Sequence, residues 1–380
     1  RNYLPGEAQG TPGAAAESDG LALTQVQLKT PVLHLFGRDY SEVEVVLAPQ
    51  AADWRIALKT READGELLWR GADDGWIEGR FRRLHLTQAA AAGQASGSVI
   101  DRLPGMSLVV DDLWLDKKAL GRLELRARNL RGSWLLEKLN LRNSDGELSG
   151  SGRWTRGVRQ RTDLDFELLA RDSGKLLTRL GHDDAVRQGK ARLGGSLRWN
   201  GPLTEIHYPS LTGELEVKVE KGQFNKLEPG VGRLLGLISL QSLPRRLTLD
   251  FRDLFSDGLA FDNIEGRLSV EGGIMKTLSG LRISGPAVQV VIDGQTDLQQ
   301  ETQDLMVAVR PEVSTLAIGA AALVNPVAGA AALVANTVLK SPLNQIFSYR
   351  YHVTGSWADP MVAKAGKDEA KLQQDKDGAK

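Results

Sequence analysis

Apolar and polar side chains alternate along most of this chain. Leu21-Ala-Leu23, Val26-Gln-Leu28, Val43-Glu-Val45 and Trp54-Arg-Ile56-Ala-Leu58 repeat every second residue, the pattern of a strand with one buried and one wet face. It continues through Phe81 to Leu86, Leu108 to Leu115, Leu123 to Leu125, Leu139 to Leu141, Leu164 to Leu168 and Leu215 to Val219. It returns in Leu247 to Phe251, Leu268 to Val270, Leu281 to Ile283, Val288 to Ile292, Leu305 to Val309 and Phe347 to Val353. Asp64-Gly65, Asp74-Gly75, Asp145-Gly146 and Asp257-Gly258 supply tight-turn dipeptides between such runs, because glycine accepts positive φ. The pattern predicts a long antiparallel meander. The similar runs Gly150-Ser-Gly-Arg-Trp154 and Gly195-Ser-Leu-Arg-Trp199 point to loosely repeated β units.

Helical spacing breaks the alternation in three places. Asp172 or Ser173 can cap a helix near 173–188 with Leu176, Leu177 and Leu180 on one face. A second is expected over 229–242, with Val231, Leu234, Leu235 and Ile238 at i, i+3, i+4, i+7, stopped by Pro244. The third lies in Val313 to Leu339, which carries no charge and contains GAAALV twice, at Gly319 and Gly329. Asn325-Pro326 divides it, since proline suits a first helical turn and asparagine a cap, so an apolar helical pair is expected at 314–340. One membrane span is disfavoured by the alanine and glycine content and the central Asn-Pro. A buried hairpin of small residues and an apolar foot that meets lipid remain open.

These elements divide the chain into a flexible lead-in at 1–20, a repeated β-meander at 21–228, a C-terminal segment at 229–362 and a disordered tail at 363–380. The start at Arg1, without a signal-like apolar stretch, suggests a mature or truncated piece.

Composition removes several chemistries. With 48 basic and 48 acidic residues the chain has no net charge, which argues against a nucleic-acid partner. There is no cysteine, hence neither disulfide nor thiolate metal site. His34, His85, His182, His207 and His352 are scattered without metal-ligand spacing. No nucleophile elbow or P-loop occurs, and Gly230-Val-Gly232-Arg-Leu-Leu-Gly236 has the wrong last spacing for a dinucleotide fingerprint. The pairs Asp73-Asp74, Asp111-Asp112 and Asp183-Asp184 read as solvated turn residues or as neighbours on opposite strand faces. No enzyme, cofactor or metal is expected. A long one-sided apolar sheet remains, which must pack on another sheet, close on itself, or stay open as a trough that acyl chains can fill.

Two stretches carry a family resemblance. PGVGRLLGLISLQSLPRRLTLDFRDLFSDGLAFDNIEG, Pro229 to Gly266, and YRYHVTGSWADP, Tyr349 to Pro360, resemble the C-terminal region of the YhdP-like branch of the AsmA-like envelope proteins. DSGKLLTRLGHDDAVRQGKARLGGSLRWNGP, Asp172 to Pro202, resembles the stretch before it. The resemblance implies a mainly β protein, an elongated curved antiparallel sheet forming an open groove, in the periplasm of Gram-negative bacteria. It implies phospholipid as the ligand, guided between inner and outer membranes in support of the outer-membrane barrier. An inner-membrane anchor would lie in an N-terminal part that this chain lacks, and the outer membrane or a protein there would meet the C-terminal end. The expected groove lining is Leu247, Leu249, Phe251, Leu268, Val270, Leu281, Ile283, Val307 and Val309. The expected docking residues are Leu316, Ile318, Leu323, Val324, Val327, Leu333, Val334 and Leu339, with Phe347, Tyr349 and Tyr351 as interfacial aromatics. The rival expectation is an envelope scaffold with a closed β-core whose apolar helices bind a protein.

Overall fold

The computed structural model describes residues 24–35, 38–71, 75–86, 103–157, 159–183, 185–225, 258–286, 288–311 and 349–365. The expected strands at Leu21 to Leu23 and Leu247 to Phe251, the helix at 229–242 and the helical pair at 314–340 lie outside them, as do all eight docking residues. The described residues form one sheet of nineteen strands.

The first half runs β1 (Val26–Leu35), β2 (Arg38–Gln50), β3 (Asp53–Lys59), β4 (Ala63–Arg70), β5 (Trp76–Leu86), β6 (Gly105–Leu115), β7 (Lys118–Leu130), β8 (Ser133–Arg142), β9 (Gly146–Thr155) and β10 (Arg161–Ala170). After α1 (Ser173–Arg179) come β11 (Val186–Asn200), β12 (Thr212–Phe224), β13 (Leu259–Glu271), β14 (Ile274–Thr277) and β15 (Leu281–Ser284). The sheet ends with β16 (Val288–Asp297), β17 (Thr302–Pro311), β18 (Tyr349–Ser356) and β19 (Pro360–Lys364). β19 therefore takes Ala363 and Lys364 out of the expected tail.

Each strand pairs with the next, antiparallel, with two departures. β5 and β6 are parallel, Trp76 against Gly105 through Leu86 against Leu115; the connection between them is long enough for the chain to return to the start of the ladder. β13 shares its far edge between β14 and β15, and both of these pair with β16. At strand spacing the sheet measures roughly 80 Å along its hydrogen-bond direction.

Asp64-Gly65 is not a turn but part of β4. The chain reverses instead at Thr60, whose hydroxyl accepts from the amides of Glu62 and Ala63 at 3.0 and 2.8 Å. α1 is shorter than the expected 173–188. Asp172 caps it by accepting from Lys175 N at 3.1 Å, and Gly181, at φ +88°, ends it. Residues from Val186 onward pair with β12, Val186 against Phe224; a full strand ladder outweighs a short helical stripe.

The most deeply buried apolar cluster joins Phe224, Leu259 and Phe261 to Leu281, Ile283, Val288, Val290, Ile292, Leu305, Val307, Val309, Tyr351 and Val353. Strict alternation would put Phe224 and Val219 on opposite faces. Gln188 and Lys221, at φ 57° and 48°, kink β11 and β12 between them, and both residues reach the same cluster.

Candidate functional site

The register aligns the alternating residues of successive strands into rows that cross the sheet. One row runs Leu28, Val45, Leu58, Gly65, Phe81, Val110 and Leu123 from β1 to β7. It continues through Leu141, Leu148, Leu168, Leu193 and Val217 to Gly266 on β13. The adjacent row, from Leu47 to Leu268, includes Ile56, Leu67, Leu108, Leu125, Leu139, Phe166 and Leu215. No charged side chain enters either row. The result is an apolar strip, perpendicular to the strands and thirteen strands long.

Burial varies along the strip. Val26 and Leu28 on β1 are 40% and 42% exposed, and the row residues from Leu123 to Val217 are half-buried. Within the strip Phe81 and Val110, on β5 and β6, are 7% and 0% exposed; beyond its β13 end Ile283, Val290, Ile292 and Val307, on β15 to β17, are 1–2% exposed. The half-buried residues of β7 to β12 keep apolar surface that water disfavours by about 25 cal/mol per Å2.

The strip has two different rims. On one, Trp134 stands opposite Trp154, Trp154 opposite Thr162, and Thr162 opposite Trp199. Trp54 and Trp69 face each other one row inward. Trp134 donates its indole N–H to the Pro104 carbonyl and Trp199 to the Pro202 carbonyl, both at 3.0 Å. Leu203, from the connection after β11, packs on both flanking clusters. On the other rim α1 covers the strand ends: Leu176 is buried over Gly146, and Arg179 reaches Asp145 and the Ala119 carbonyl.

Glycines adjust the depth of the strip. Phe166 lies between Gly150 and Gly195 in the ladder, and a Cβ on Gly195 would stand 2.3 Å from the Glu214 carbonyl oxygen. Leu215 Cδ2 would lie 2.7 Å from the same Cβ, so Gly195 leaves the room that β12 and Leu215 occupy. The repeated Gly-Ser-x-Arg-Trp runs are where this depth and the tryptophan rim were written in the sequence.

The opposite face is charged. Arg198 pairs with Asp163 at 2.5 Å, Lys138 with Glu124 at 2.7 Å and Arg142 with Glu147 at 2.9 Å. A concavity of about 1210 Å3 on this face is lined by Asp163, Asp165, Glu167, Arg192, Arg198 and Glu214 among others. Burial pushes the Asp163 carboxyl up, but hydrogen bonding to Arg198 and the charges of Arg161 and Arg198 hold it below the usual carboxylate range. Such pairs at a solvated face stabilise little.

Of the expected lining residues, Leu268 ends the second row on β13 and Val270 lies one row nearer the tryptophan rim, while Leu281, Ile283, Val307 and Val309 sit in the closed cluster; Leu247, Leu249 and Phe251 lie outside the described residues. The half-buried leucines of β7 to β11 were read as strand residues and not as lining, since alternation alone does not say where a face stays uncovered. His34 pairs with Asp39 and His352 with Asp304, both at 2.6 Å, and His207 with Ser210 at 2.8 Å. Asp111 pairs with Arg122, while Asp112 accepts from the Trp114 indole. Among the described residues no helix is long and apolar enough to cross a membrane.

A single meandering sheet with one continuous apolar face and one charged face defines an open β-trough protein. The family model described as YhdP protein matches residues 6–362, and the chain belongs to that family. A curated relative, the intermembrane phospholipid transporter YhdP of Escherichia coli strain K12, is 25% identical over 363 residues. That match takes in 92% of this chain and 29% of the relative's length. No solved structure matches the chain.

Proposed function

We propose that this chain is a non-enzymatic segment of a phospholipid conduit, holding acyl chains on its apolar strip while lipids pass between the membranes of a Gram-negative envelope. The observation that carries the reading is the unbroken pair of apolar rows that ends on β13, half-buried from β7 to β12. A row perpendicular to the strands gives an acyl chain equivalent apolar neighbours at every strand, so movement along it meets no charged barrier. The relative's name as an intermembrane phospholipid transporter supports the same ligand. The periplasm, with the apolar run at 314–340 meeting the outer membrane or a protein there, completes the reading.

Photo-crosslinking tests it. With a photoreactive residue at Leu148, Leu168 or Leu193, phospholipid is expected to crosslink in cells and to copurify without detergent. At Ser149, Glu167 or Arg192, on the other face, it is not. Equal labelling of both faces, or none, overturns the conduit. The closed cluster on β13 to β18 favours a second reading, a scaffold with a dry core; that reading expects no lipid at either set.

A further inference from the structure

We propose that the tryptophan rim is the headgroup side of the strip and that the Gln303 amide is a polar anchor on it for the phosphate and glycerol-ester region of a phospholipid. The inference rests on the conduit reading above and assigns the lipid's orientation within it.

Gln303 lies on β17, on the same face as Leu305, Val307 and Val309, and is 5% exposed. Neither its amide oxygen nor its amide nitrogen has a hydrogen-bond partner, so interchanging the two ends of the amide changes nothing. Its neighbours do not relieve it. Thr296, opposite in the ladder, donates to the Thr302 carbonyl at 2.7 Å and accepts from the Trp357 indole at 2.9 Å. Gly355, opposite on the other side, has no side chain. Buried amides ordinarily find partners; this one has none within the protein, which leaves its two donors and its acceptor free for a polar group of a lipid.

The row containing Gln303 runs back through Thr296 and Met275 to Val270, then through Gly213, Leu197 and Leu164. It is the row beside Trp154 and Trp199, so the amide stands at the tryptophan rim and away from α1. Trp154 on that rim is 1% exposed and its indole N–H also lacks a partner. Indoles favour the boundary between acyl chains and headgroups. An amide offers two donors and an acceptor, which suits ester or phosphate oxygens together with a hydroxyl or ammonium donor, and leaves nothing for an acyl chain.

The test uses the whole purified chain and two phosphatidylethanolamine probes, one with a diazirine in the acyl chain and one with it on the headgroup. The acyl probe should label Leu148, Leu168 or their row neighbours in the wild type and in Gln303→Leu. The headgroup probe should label the peptide spanning Thr296 to Gln303 or the one holding Trp357, and lose roughly five-fold in Gln303→Leu, the factor one neutral hydrogen bond contributes. Gln303→Met, of similar volume, should behave as leucine does, and circular dichroism should report both variants folded because each removes an unpaired polar group. Headgroup labelling on α1 or the charged face, or labelling unchanged in both variants, overturns the anchor and leaves the conduit standing. Competition by excess inorganic phosphate overturns it as well, since the amide would then read free anions. Failure of the acyl probe to label the strip overturns the conduit and the anchor together.

Discussion

Arg179 at the end of α1 grips Asp145 in the β8–β9 turn, Nε to Oδ2 at 2.8 Å, while its Nη1 donates to the Ala119 carbonyl at 3.1 Å. A helix of seven residues thereby ties two hairpins to β11 and closes one rim of the apolar strip.

Asp145 is 9% exposed and Arg179 27%. Burial pushes the Asp145 carboxyl up, but hydrogen bonds from Arg179 and Ser144 outweigh it and hold the group below its ordinary range. A carboxyl depressed in the folded state contributes stability that is fully present above its unfolded value, near 3.9, and is lost as pH falls through the lower folded value. Asp145→Asn is therefore expected to lose about 1–3 kcal/mol in urea denaturation at pH 7, the cost of leaving a partly buried cation unpaired. The gap to wild type should begin to narrow as pH falls below about 4, the range of the unfolded carboxyl, and should close only once the pH has passed below the lower folded value. A gap that persists in acid would show that packing, not charge, holds the rim.

The two burial regimes of the apolar face should differ in stability. Ile292, 1% exposed in the closed cluster, should cost about 2–5 kcal/mol on replacement by alanine, because a cavity remains. Leu148, half-buried in the strip, should cost about 1 kcal/mol, since part of its surface already meets water. Denaturant midpoints of the two variants decide it. Equal losses would mean that the strip is as tightly packed as the cluster.

Much of this was legible in the alternation. The strands at Val43 to Val45, Val288 to Ile292 and Leu305 to Val309 follow from period two alone, and so does their division into one apolar and one polar face, whereas Val110 and Leu113 share a face only through a bulge between them. The register is another matter. Whether Leu148 lines up with Leu168, and Leu168 with Leu193, depends on turn lengths and kinks set by residues such as Gln188 and Lys221, whose positive φ no local pattern announces. The parallel β5–β6 pair was likewise invisible, because direction is fixed by a long connection and not by either strand. Leu176, Leu177 and Leu180 read as a helix through Gly189, yet strand pairing claimed Val186 onward.

The depth of the strip can be tested through its glycines. Gly195→Val would bring Cβ to 2.3 Å from the Glu214 carbonyl oxygen and 2.7 Å from Leu215 Cδ2. Neither the ladder nor the row can move aside, so a loss of about 1–3 kcal/mol is expected from overpacking. Gly71→Ala is the control: its nearest neighbour would be the Trp69 Nε1 at 3.9 Å, and reduced freedom of the unfolded chain should stabilise it by about 0.4–1 kcal/mol. Thermal melts that move the same way for both would contradict the crowding against Glu214 and Leu215.

Tryptophan fluorescence gives a reading of occupancy that needs no label on the protein. Trp54 and Trp69 face each other in the row beside the strip and are 39% and 51% exposed, while Trp134, Trp154 and Trp199 are 1–4% exposed on the same side. A phospholipid with brominated acyl chains quenches indoles that it touches, so binding should dim the exposed pair before the buried three. Trp54→Phe with Trp69→Phe should remove roughly half of the quenching, since the phenyl ring keeps the apolar contact but not the emission. Quenching that survives in the double variant, with the acyl probe, would place the acyl chains elsewhere than on the strip near β3 and β4.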